Sequence, residues 1–470
     1  MNSKKVGIGL LVLIVVSAFG YIFTLSEGKN LAHTIKDGMI RFAEPERAPG
    51  QTSMLGFAAE PIEHVRVGII GLGMRGKGFA KRLTIIEGAE VVAICDLVQE
   101  NLDKTQKIIE KAGGKRAEEY VGEDKWKEVC QRNDIDLVYI ITPWEAHTPM
   151  AVYAMEQGKH VAVEVPAATS VAECWQLVDT SERTRKHCMM LENCIYDHFE
   201  LTALNMAQQG LFGEIIHGEG AYIHNLDEFW GGYHDNWRLK FNQTHRGDVY
   251  ATHGLGPICQ AMNIHRGDRM THLVSMDTES WVGKELAKKS LKTKKFANGD
   301  HTSTLIRTHK GKTIELQHNV YTPRPYNRLY QLTGTKGFAN KYPTQGILLQ
   351  LGEEHSDIAP DHENLSAHKF LPEEVFKALM EKYRHPIQKE LMEVAKKVGG
   401  HGGMDFIMDS RLIYCLRNGL PLDQDVYDAA EWSCIGELTA ASIENNSMPV
   451  AIPDFTRGEW DKLKGLTFAK

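Results

Sequence analysis

The sequence of 470 residues has none of the spaced Cys and His patterns that are typical of metal sites. Its eight cysteines are scattered, no two form a CxxC pair, and most lie inside apolar runs such as "VVAICD". Buried free thiols are therefore expected rather than disulfides or metal ligands. Twenty-one histidines are present, but none belongs to an HExxH motif. We expect no metal site.

Positive charge is also too sparse for a nucleic-acid partner. The chain has 54 Lys and Arg against 61 Asp and Glu, which gives a net charge of −7. We find no basic stripe with interleaved aromatic residues, so nucleic acid is excluded as an expected partner. The length is sufficient for two or three domains with full hydrophobic cores.

One long apolar run is present, and it lies at the N-terminus. Lys4 and Lys5 precede residues 6–25, which carry no charge. This run is long enough to span a bilayer, and it also fits a signal peptide with a small-x-small cleavage site at residues 18–20. The two lysines place the body outside the cytoplasm, in the periplasm or cell envelope, and no twin arginine is present. We predict that residues 1–27 form either a cleaved signal peptide or a retained membrane anchor.

The next part of the chain predicts a linker followed by an α/β domain. Residues 28–62 are rich in Pro, Gly and charge, and we interpret them as a linker or wrapping arm. After them come five apolar runs separated by helical patterns: "VRVGIIGL", "AEVVAICD", "IDLVYIIT", "KHVAVEVP" and "KHCMMLENC". This alternation predicts βαβ units and a parallel sheet buried on both faces. We assign residues 63–194 to a Rossmann-type domain.

The pattern changes after this domain. Segments such as "EIIHGEGAYIHN", "THLVSMD", "HTSTLIRTH", "KTIELQHNVY" and "YQLTGT" are typical of antiparallel strands with tight turns. From about Leu371 the sequence is mostly helical. Residues 195–470 are therefore predicted to form an α+β domain with an open, mainly antiparallel sheet and C-terminal helices.

A dinucleotide fingerprint stands at the start of the α/β domain. "GLGMRG" fits G-x-G-x-x-G and lies between a predicted strand and a predicted helix. Gly71 allows the tight turn, Gly73 allows close approach of a pyrophosphate, and Gly76 allows close helix packing. Asp96 ends the second strand, where its carboxylate would accept from the ribose 2′-OH. Arg75 could favour a phosphate instead, but Asp96 would repel it, so we expect NAD rather than NADP.

The chain resembles a family of known proteins. "TPWEAH" at residues 142–147 and "GGMDFIMDSRLIYCLRNGLPL" are similar to the Gfo/Idh/MocA oxidoreductase superfamily. Within it, "LGMRGKG", "EVP", "LENC", "GDVYATHGLGP", "NIHRGDRM" and "QHNVYTPRPYNRLYQLTGTKGFANKYP" resemble glycoside hydrolase family 109, the NAD-dependent α-N-acetylgalactosaminidases. The resemblance extends from about Pro49 to the C-terminus.

The resemblance implies an unusual hydrolysis. The superfamily's fifth strand ends in Glu-Lys-Pro with a working lysine, whereas this chain has Glu164-Val165-Pro166, as family 109 does. In that family NAD is resident: the sugar 3-OH is oxidised, the C2 proton is removed, the glycosidic oxygen is eliminated, water adds, and C3 is reduced again, with net retention. The substrate implied is a terminal α-linked N-acetylgalactosamine. An NAD-linked sugar dehydrogenase or aldose oxidoreductase, and a non-catalytic sugar-binding sensor, remain as alternatives.

The resemblance also assigns cofactor contacts, most of them at or near the carboxyl ends of predicted strands. They are Met74, Arg75, Asp96, Trp144, His147, Glu164, Val165 and Asn193. His147 has an alternative role as a helix-start residue. Asn193 could instead cap the helix that begins near His198.

The catalytic candidates are Tyr250 and His253. His253 matches a superfamily histidine that serves as acid and base, although a buried structural histidine is the alternative. Tyr250 could remove the C2 proton or only bind sugar, and both roles remain open. Tyr222, Arg238 and Tyr326 match substrate-contacting positions, with Tyr222 also explicable by packing. Open sheets of this superfamily often pair face to face, so we expect a homo-oligomer.

Overall fold

The structure is a computed structural model that describes residues 33–466. The predicted signal peptide or anchor at residues 1–27, including residues 6–25, lies outside the described residues. Between residues 33 and 466 no helix is long and apolar enough to cross a membrane.

The arm begins with two short strands, β1 (Thr34–Lys36) and β2 (Met39–Arg41), which pair antiparallel. A parallel sheet follows, with strand order β5-β4-β3-β6-β7-β8. Its strands are β3 (Val65–Ile70), β4 (Ala89–Asp96), β5 (Glu118–Val121), β6 (Leu137–Ile140), β7 (His160–Val163) and β8 (Cys188–Met190). The helices between them are α1 (Gly76–Ile85), α2 (Gln99–Lys111), α3 (Lys125–Gln131), α4 (His147–Glu156) and α5 (Val171–Thr184).

This sheet confirms the predicted α/β class. Every residue of β6 and β7 is buried, as expected for strands with helices on both faces. The five predicted apolar runs correspond to β3, β4, β6, β7 and β8. The edge strand β5 was not predicted, because its sequence "EEYV" is charged and no position in it is fully buried.

The second sheet has ten strands in the order β1-β2-β16-β10-β11-β12-β9-β13-β14-β15. Its remaining strands are β9 (Ile215–Ile223), β10 (Met270–Asp277), β11 (Thr302–Thr308), β12 (Thr313–Asn319), β13 (Tyr330–Gly334), β14 (Gly337–Asn340), β15 (Gly346–Leu349) and β16 (Val450–Ala451). Most pairs are antiparallel, as predicted, but β9 pairs with β12 in parallel, and so does β16 with β2. Buried and exposed residues alternate strictly along β11, so one face of the sheet is packed there and the other is open.

Eight further α-helices lie in the described part of the chain, besides short 3-10 turns. They are α6 (His198–Gln208), α7 (Trp237–Thr244), α8 (Thr252–Ala261), α9 (Val282–Ser290), α10 (Glu373–Lys382), α11 (Pro386–Val398), α12 (Met404–Asn418) and α13 (Val426–Glu444). Helix α12 returns to the first sheet. On it, Asp409 accepts a hydrogen bond of 2.6 Å from Arg82 Nε of α1, and Tyr139 of β6 donates to the same carboxylate at 3.3 Å.

A buried carboxylate holds the arm against the body. Glu182 on α5 is fully buried and accepts from both Nε and Nη2 of Arg47 at 3.0 Å. Arg457, near the C-terminus, donates to it at 2.8 Å, and the Tyr427 hydroxyl donates at 2.6 Å. Three distant segments therefore converge on one side chain.

Replacement of this carboxylate tests its structural importance. Glu182→Gln should lower the melting temperature, because removing one member of a buried ion pair costs about 3 kcal/mol when the partner charges stay. Differential scanning calorimetry would measure the change. Glu156→Gln is the matched control: its pair with Arg183 is 40–46% exposed, so about 1 kcal/mol or less is expected. Equal shifts in the two variants would contradict this account of the arm.

Candidate active site

The glycine loop between β3 and α1 has the shape that a pyrophosphate requires. Gly71 has φ +93°, and a Cβ there would lie 2.3 Å from the Ile141 oxygen. A Cβ at Gly76 would lie 2.0 Å from the Gly71 oxygen, so neither position admits a side chain. A Cβ at Gly73 would meet nothing within 4 Å, which leaves open space above the loop. The first turn of α1 has no side-chain cap and no acidic residue, and although the Gly78 N–H donates to the Arg75 oxygen at 2.9 Å, the turn suits an anion.

Asp96 lies at the end of β4, beside this loop. One carboxylate oxygen accepts from the Leu72 backbone N–H at 2.6 Å, and the other accepts from Val98 N at 2.9 Å and Asn101 Nδ2 at 3.0 Å. The carboxylate thus orders the glycine loop as well as the start of α2. It is half-buried, and its position next to the loop suits contact with a ribose hydroxyl.

The end of β7 brings two further predicted residues, Glu164 and Val165, to the edge of the parallel sheet where the glycine loop lies. Arg75 Nε donates to Glu164 at 2.9 Å, and Arg75 Nη1 donates to Asp405 of α12 at 3.1 Å. Val165, at the position of the superfamily's lysine, is only 3% exposed. No cation stands at this position, and the neighbouring Glu164 is paired with Arg75.

Three other predicted cofactor residues differ in what they offer. His147 is fully buried, with Nδ1 2.7 Å from the Pro166 oxygen and Nε2 2.8 Å from the Thr142 oxygen, so its ring joins two strand ends and faces no open space. Asn193 does not cap α6, because Asp197 is the residue that caps this helix. The Asn193 side chain instead donates to Asp405 at 2.6 Å.

Met74 is 49% exposed and lies against Gly232. A Cβ placed on Gly232 would be only 2.7 Å from the Met74 sulfur, so the two residues are in close contact.

An aromatic cluster brings the catalytic candidates together. The ring of Tyr250 lies 4.7 Å from that of Tyr222, 5.0 Å from that of His253 and 5.4 Å from that of Trp144, measured between centroids. Tyr250 precedes α8, whereas His253 lies in its first turn, so the two are neighbours across the helix start rather than along one helix face. Both catalytic candidates, one predicted substrate residue and one predicted cofactor residue therefore lie in one cluster.

His253 has a partner that the sequence did not indicate. Its Nδ1 lies 2.8 Å from both carboxylate oxygens of Glu192, and both side chains are buried. Burial lowers the pKa of His253 against the opposing attraction of Glu192, which favours the neutral imidazole. Burial acts to raise the pKa of Glu192, but His253 and the Cys194 N–H hold it below its ordinary value.

Two buried arginines face the cluster. The Arg238 guanidinium lies 4.6 Å from the Tyr250 ring centroid and 4.9 Å from that of Trp144, and its Nη1 donates to the Tyr233 hydroxyl at 2.8 Å.

The second arginine, Arg328, lies 5.9 Å from the centroid of the Tyr222 ring and donates to Cys194 Sγ at 3.0 Å. Within residues 33–466 neither arginine forms a salt bridge with a carboxylate, and each Nε lacks a hydrogen-bond partner.

The outer rim of the cluster contains Tyr326 and two histidines. Tyr326 is 42% exposed and packs edge-on against His224 with centroids 4.9 Å apart. The Tyr222 hydroxyl lies 2.9 Å from His224 Nδ1. Burial, with the nearby charges of Arg328 and Arg238, lowers the pKa of His224 to about 4. His401 precedes α12 and contacts both Arg75 and Asp405 at 3.0–3.1 Å.

One group of potential metal ligands is found in the described part of the chain: Glu192, Cys194 and His253, with ligand atoms within 4.8 Å of one another. The Arg328 guanidinium contacts the Cys194 sulfur, and burial raises the pKa of that thiol well above its ordinary value. A protonated thiol beside a cation is unsuited to a metal ion. The expected lack of a metal site stays a prediction.

Comparisons with known proteins define the class and then the family. The profile of the oxidoreductase family, NAD-binding Rossmann fold, matches residues 65–192, and that of glycosyl hydrolase 109, C-terminal domain, matches residues 196–462. The protein is thus an NAD-dependent glycosidase built on an oxidoreductase fold. The chain belongs to glycosyl hydrolase family 109.

Curated relatives agree over nearly the whole length. A glycosyl hydrolase family 109 protein of Porphyromonas gingivalis is 61% identical over 433 residues, which covers 92% of each chain. A family 109 protein of Bacteroides thetaiotaomicron is 59% identical over 433 residues, 92% of this chain and 93% of the relative.

Solved structures share the fold at low identity. The WlbA dehydrogenase from Bordetella pertussis, in complex with NADH and UDP-GlcNAcA, has a TM-score of 0.62 at 15% identity and covers 84% of this chain and all of its own. The myo-inositol dehydrogenase from Lactobacillus casei, in complex with NAD(H) and myo-inositol, has a TM-score of 0.55 at 16% identity, covering 87% and 100%. Both support a Gfo/Idh/MocA-type architecture. The open glycine loop, the uncapped helix and Asp96 fit the NAD that this fold binds.

Asp96 provides a test of the cofactor site. Asp96→Ala should weaken NAD binding by roughly ten- to a hundred-fold and reduce discrimination against NADP, because a charge-assisted hydrogen bond worth about 1.5–3 kcal/mol and a repulsion are lost together. Isothermal titration with both dinucleotides measures this. Asp103→Ala, an exposed aspartate on α2, is the control that should leave both affinities unchanged. Unaltered NAD affinity in Asp96→Ala would show that the ribose lies elsewhere.

Proposed function

We propose that the protein hydrolyses terminal α-linked N-acetylgalactosamine, a 2-acetamido sugar, with retention of configuration. The reaction is a transient oxidation at C3, followed by elimination, water addition and reduction. The observation that carries the proposal is the convergence of Tyr222, Arg238, Tyr250 and His253 in one cluster, together with a valine where the superfamily has its lysine. Family 109 membership supports the same activity.

The C3 oxidation has a chemical purpose. Bound NAD supplies a hydride acceptor for C3 and a hydride donor at the end of the cycle, so no net oxidation results. A ketone at C3 makes the neighbouring C2–H acidic, and loss of that proton allows the C1–O bond to break. The protein's own groups must then move protons and stabilise negative charge on the sugar.

His253 is suited to act as the base. Its neutral imidazole keeps Nδ1 against Glu192, so Nε2 is the nitrogen that can take a proton from the sugar. Tyr250 is suited to the opposite role. Burial raises its pKa well above the ordinary value even though Arg238 lies over its ring, so it stays protonated and can donate a hydrogen bond or a proton. These states favour His253 over Tyr250 for removal of the C2 proton.

Arg238 and Arg328 can stabilise the negative charge that develops. Loss of the C2 proton moves an electron pair onto the C3 oxygen, which becomes an enolate oxygen. Neither guanidinium forms a carboxylate salt bridge among the described residues, so each can interact strongly with such a charge, although the nearby Glu192 partly offsets the charge of Arg328. The free donors of Arg238 can also reach the acetamido carbonyl, and Tyr326 at the rim can pack against a sugar ring.

The mechanism predicts a distinctive isotope result. The purified protein should retain NAD, turn over many equivalents of an α-linked acetamido sugar without added cofactor, and accumulate no net NADH. In D2O the released sugar should carry deuterium at C2, because that proton is replaced from solvent. Mass spectrometry of the product and absorbance at 340 nm measure these outcomes.

Two results would contradict the proposal. Sugar released at full rate without deuterium at C2 would point to ordinary hydrolysis through an oxocarbenium ion, which leaves that C–H bond intact. Steady NADH production from a free sugar would point to the dehydrogenase alternative. A panel of α- and β-linked nitrophenyl glycosides, each with and without added NAD, identifies the sugar and the anomer.

His253 gives a mutational test of the same mechanism. His253→Ala should reduce kcat by about 10²–10⁴-fold, the range for loss of a positioned acid or base, while NAD content stays unchanged. His265→Ala is the matched control, because His265 is an equally buried histidine that pairs with Glu431 at 2.7 Å and has no partner in the aromatic cluster. That variant should lower the melting temperature with little loss of kcat. The reverse pattern would make His253 a structural histidine.

A further inference from the structure

The contact between Glu192 and His253 is the closest pairing of a carboxylate with a proposed catalytic group in the described structure. Glu192 is 0% exposed, and its two oxygens are equidistant, 2.8 Å, from Nδ1 of His253. One of them also accepts from the Cys194 N–H at 2.9 Å. The backbone oxygen of Glu192 accepts from Gln424 Nε2 at 3.0 Å, which fixes this residue from the start of α13. The carboxylate is therefore held by two donors, and the backbone of Glu192 by a third.

The surroundings of His253 leave Glu192 as its direct carboxylate partner. The groups that influence its charge are Glu192, Arg328 and Glu164, and the rings of Tyr222 and Tyr250 pack against it. Glu164 is paired with Arg75, and Arg328 disfavours an imidazolium. Within residues 33–466 no hydrogen bond reaches Nε2, so this nitrogen is the one left for a ligand.

We propose that Glu192 is a positioning residue that sets the tautomer of His253 and stabilises its protonated form. An ionised carboxylate accepts only, so Nδ1 must carry the proton and Nε2 must be the unprotonated nitrogen. When Nε2 takes a proton from the sugar, the positive charge that forms lies 2.8 Å from the negative charge of Glu192. Glu192 itself stays ionised throughout and, being fully buried, acts through His253.

This inference rests on the proposed function for its kinetic consequence but not for its structural one. Glu192→Gln keeps the shape of the side chain and removes the charge. Its amide NH2 can donate to Nδ1, which places the proton on Nε2, the wrong nitrogen for a base. We expect kcat to fall by about 10²–10⁴-fold, as for other losses of a carboxylate that orients a histidine, with the sugar KM changed by less than about threefold.

The pH profile separates positioning from packing. The acidic limb of kcat reports the pKa of the base, because only the neutral imidazole accepts a proton. Removing the carboxylate that attracts the imidazolium lowers this pKa, so the acidic limb of Glu192→Gln should move to lower pH. Glu192→Asp keeps the charge on a shorter side chain, and it should restore part of kcat and return the limb toward its wild-type position.

A double variant tests whether Glu192 acts through His253. In the background of His253→Ala, adding Glu192→Gln should cause no further loss of kcat. The matched control is Glu431→Gln, which removes another fully buried carboxylate from a histidine outside the site, at 2.7 Å from His265. That variant should lower the melting temperature and leave the pH profile of kcat unchanged.

A direct measurement is independent of any glycosidase activity. In protein labelled with ¹⁵N-histidine, the resonances that are missing from His253→Gln belong to His253. We expect their shifts to show the Nδ1-protonated tautomer in the wild type and a changed tautomer in Glu192→Gln. A wild-type Nε2-protonated ring, or a kcat in Glu192→Gln within threefold of wild type with an unmoved acidic limb, would overturn the inference. A wild type with the expected tautomer but no glycoside cleavage would overturn the proposed function and leave the pairing established.

Discussion

The arrangement of the site depends on the carboxylates that α12 presents to α1. Asp405 accepts from Arg75 and from Asn193, and Asp409 accepts from Arg82. Burial alone would raise the pKa of Asp405, but the hydrogen bond from His401 and the charges of Arg75 and Arg82 hold it well below its ordinary range. This ionised carboxylate joins the glycine-loop helix to the C-terminal part of the chain. If it were lost, Arg75 and Arg82 would be left with too few counter-charges, which costs far more than an exposed pair would.

The charged side chains of the site lie in two regions, a cofactor side and an aromatic side. On the cofactor side, Arg75 is balanced by Glu164 and Asp405. On the aromatic side, Arg238 and Arg328 have no carboxylate salt bridge among the described residues. The first region is neutralised within the protein, whereas the second can act on a ligand. A site that must stabilise a transient negative charge on a sugar benefits from this separation, because low local dielectric strengthens the interaction where water is excluded.

Local sequence patterns sufficed for the parallel sheet but not for every pairing. Buried strands such as β6 and β7 appear as apolar runs, whereas the edge strand β5 is charged and carries no such signal. The parallel pairing of β9 with β12 joins strands that are distant in sequence, and the alternation of residues within each strand does not specify its neighbour. Which strand lies beside β9 could be learned only from the three-dimensional structure.

The site shows the same division. Gly71, Gly76 and Asp96 follow from a spacing whose mechanism is known, and Tyr250 and His253 follow from the resemblance. Glu192 lies in the "LENC" motif, yet its partner is 61 residues away, so no spacing rule connects them. Arg328, His224, His401 and Asp405 were missed for the same reason. His147 was predicted as a cofactor contact from its place near a strand end, and in the structure both of its ring nitrogens lie within 2.8 Å of backbone carbonyl oxygens, so its cofactor role stays a prediction.

The valine at position 165 is consistent with the proposed use of His253, rather than a strand-end lysine, for proton transfer. A lysine there would add a cation beside Glu164, which is already paired with Arg75. Val165 itself is only 3% exposed, so the lysine would also have to be buried. The candidate acid and base lies beside the neighbouring strand, where Glu192 follows β8 by two residues and His253 stands in the first turn of α8. A histidine with its own buried carboxylate can take a proton and later return it, which a cycle of oxidation, elimination and reduction requires. In this proposal the oxidoreductase fold is kept for binding the dinucleotide, and the His253–Glu192 pair takes the proton-transfer role that a strand-end lysine has elsewhere in the superfamily.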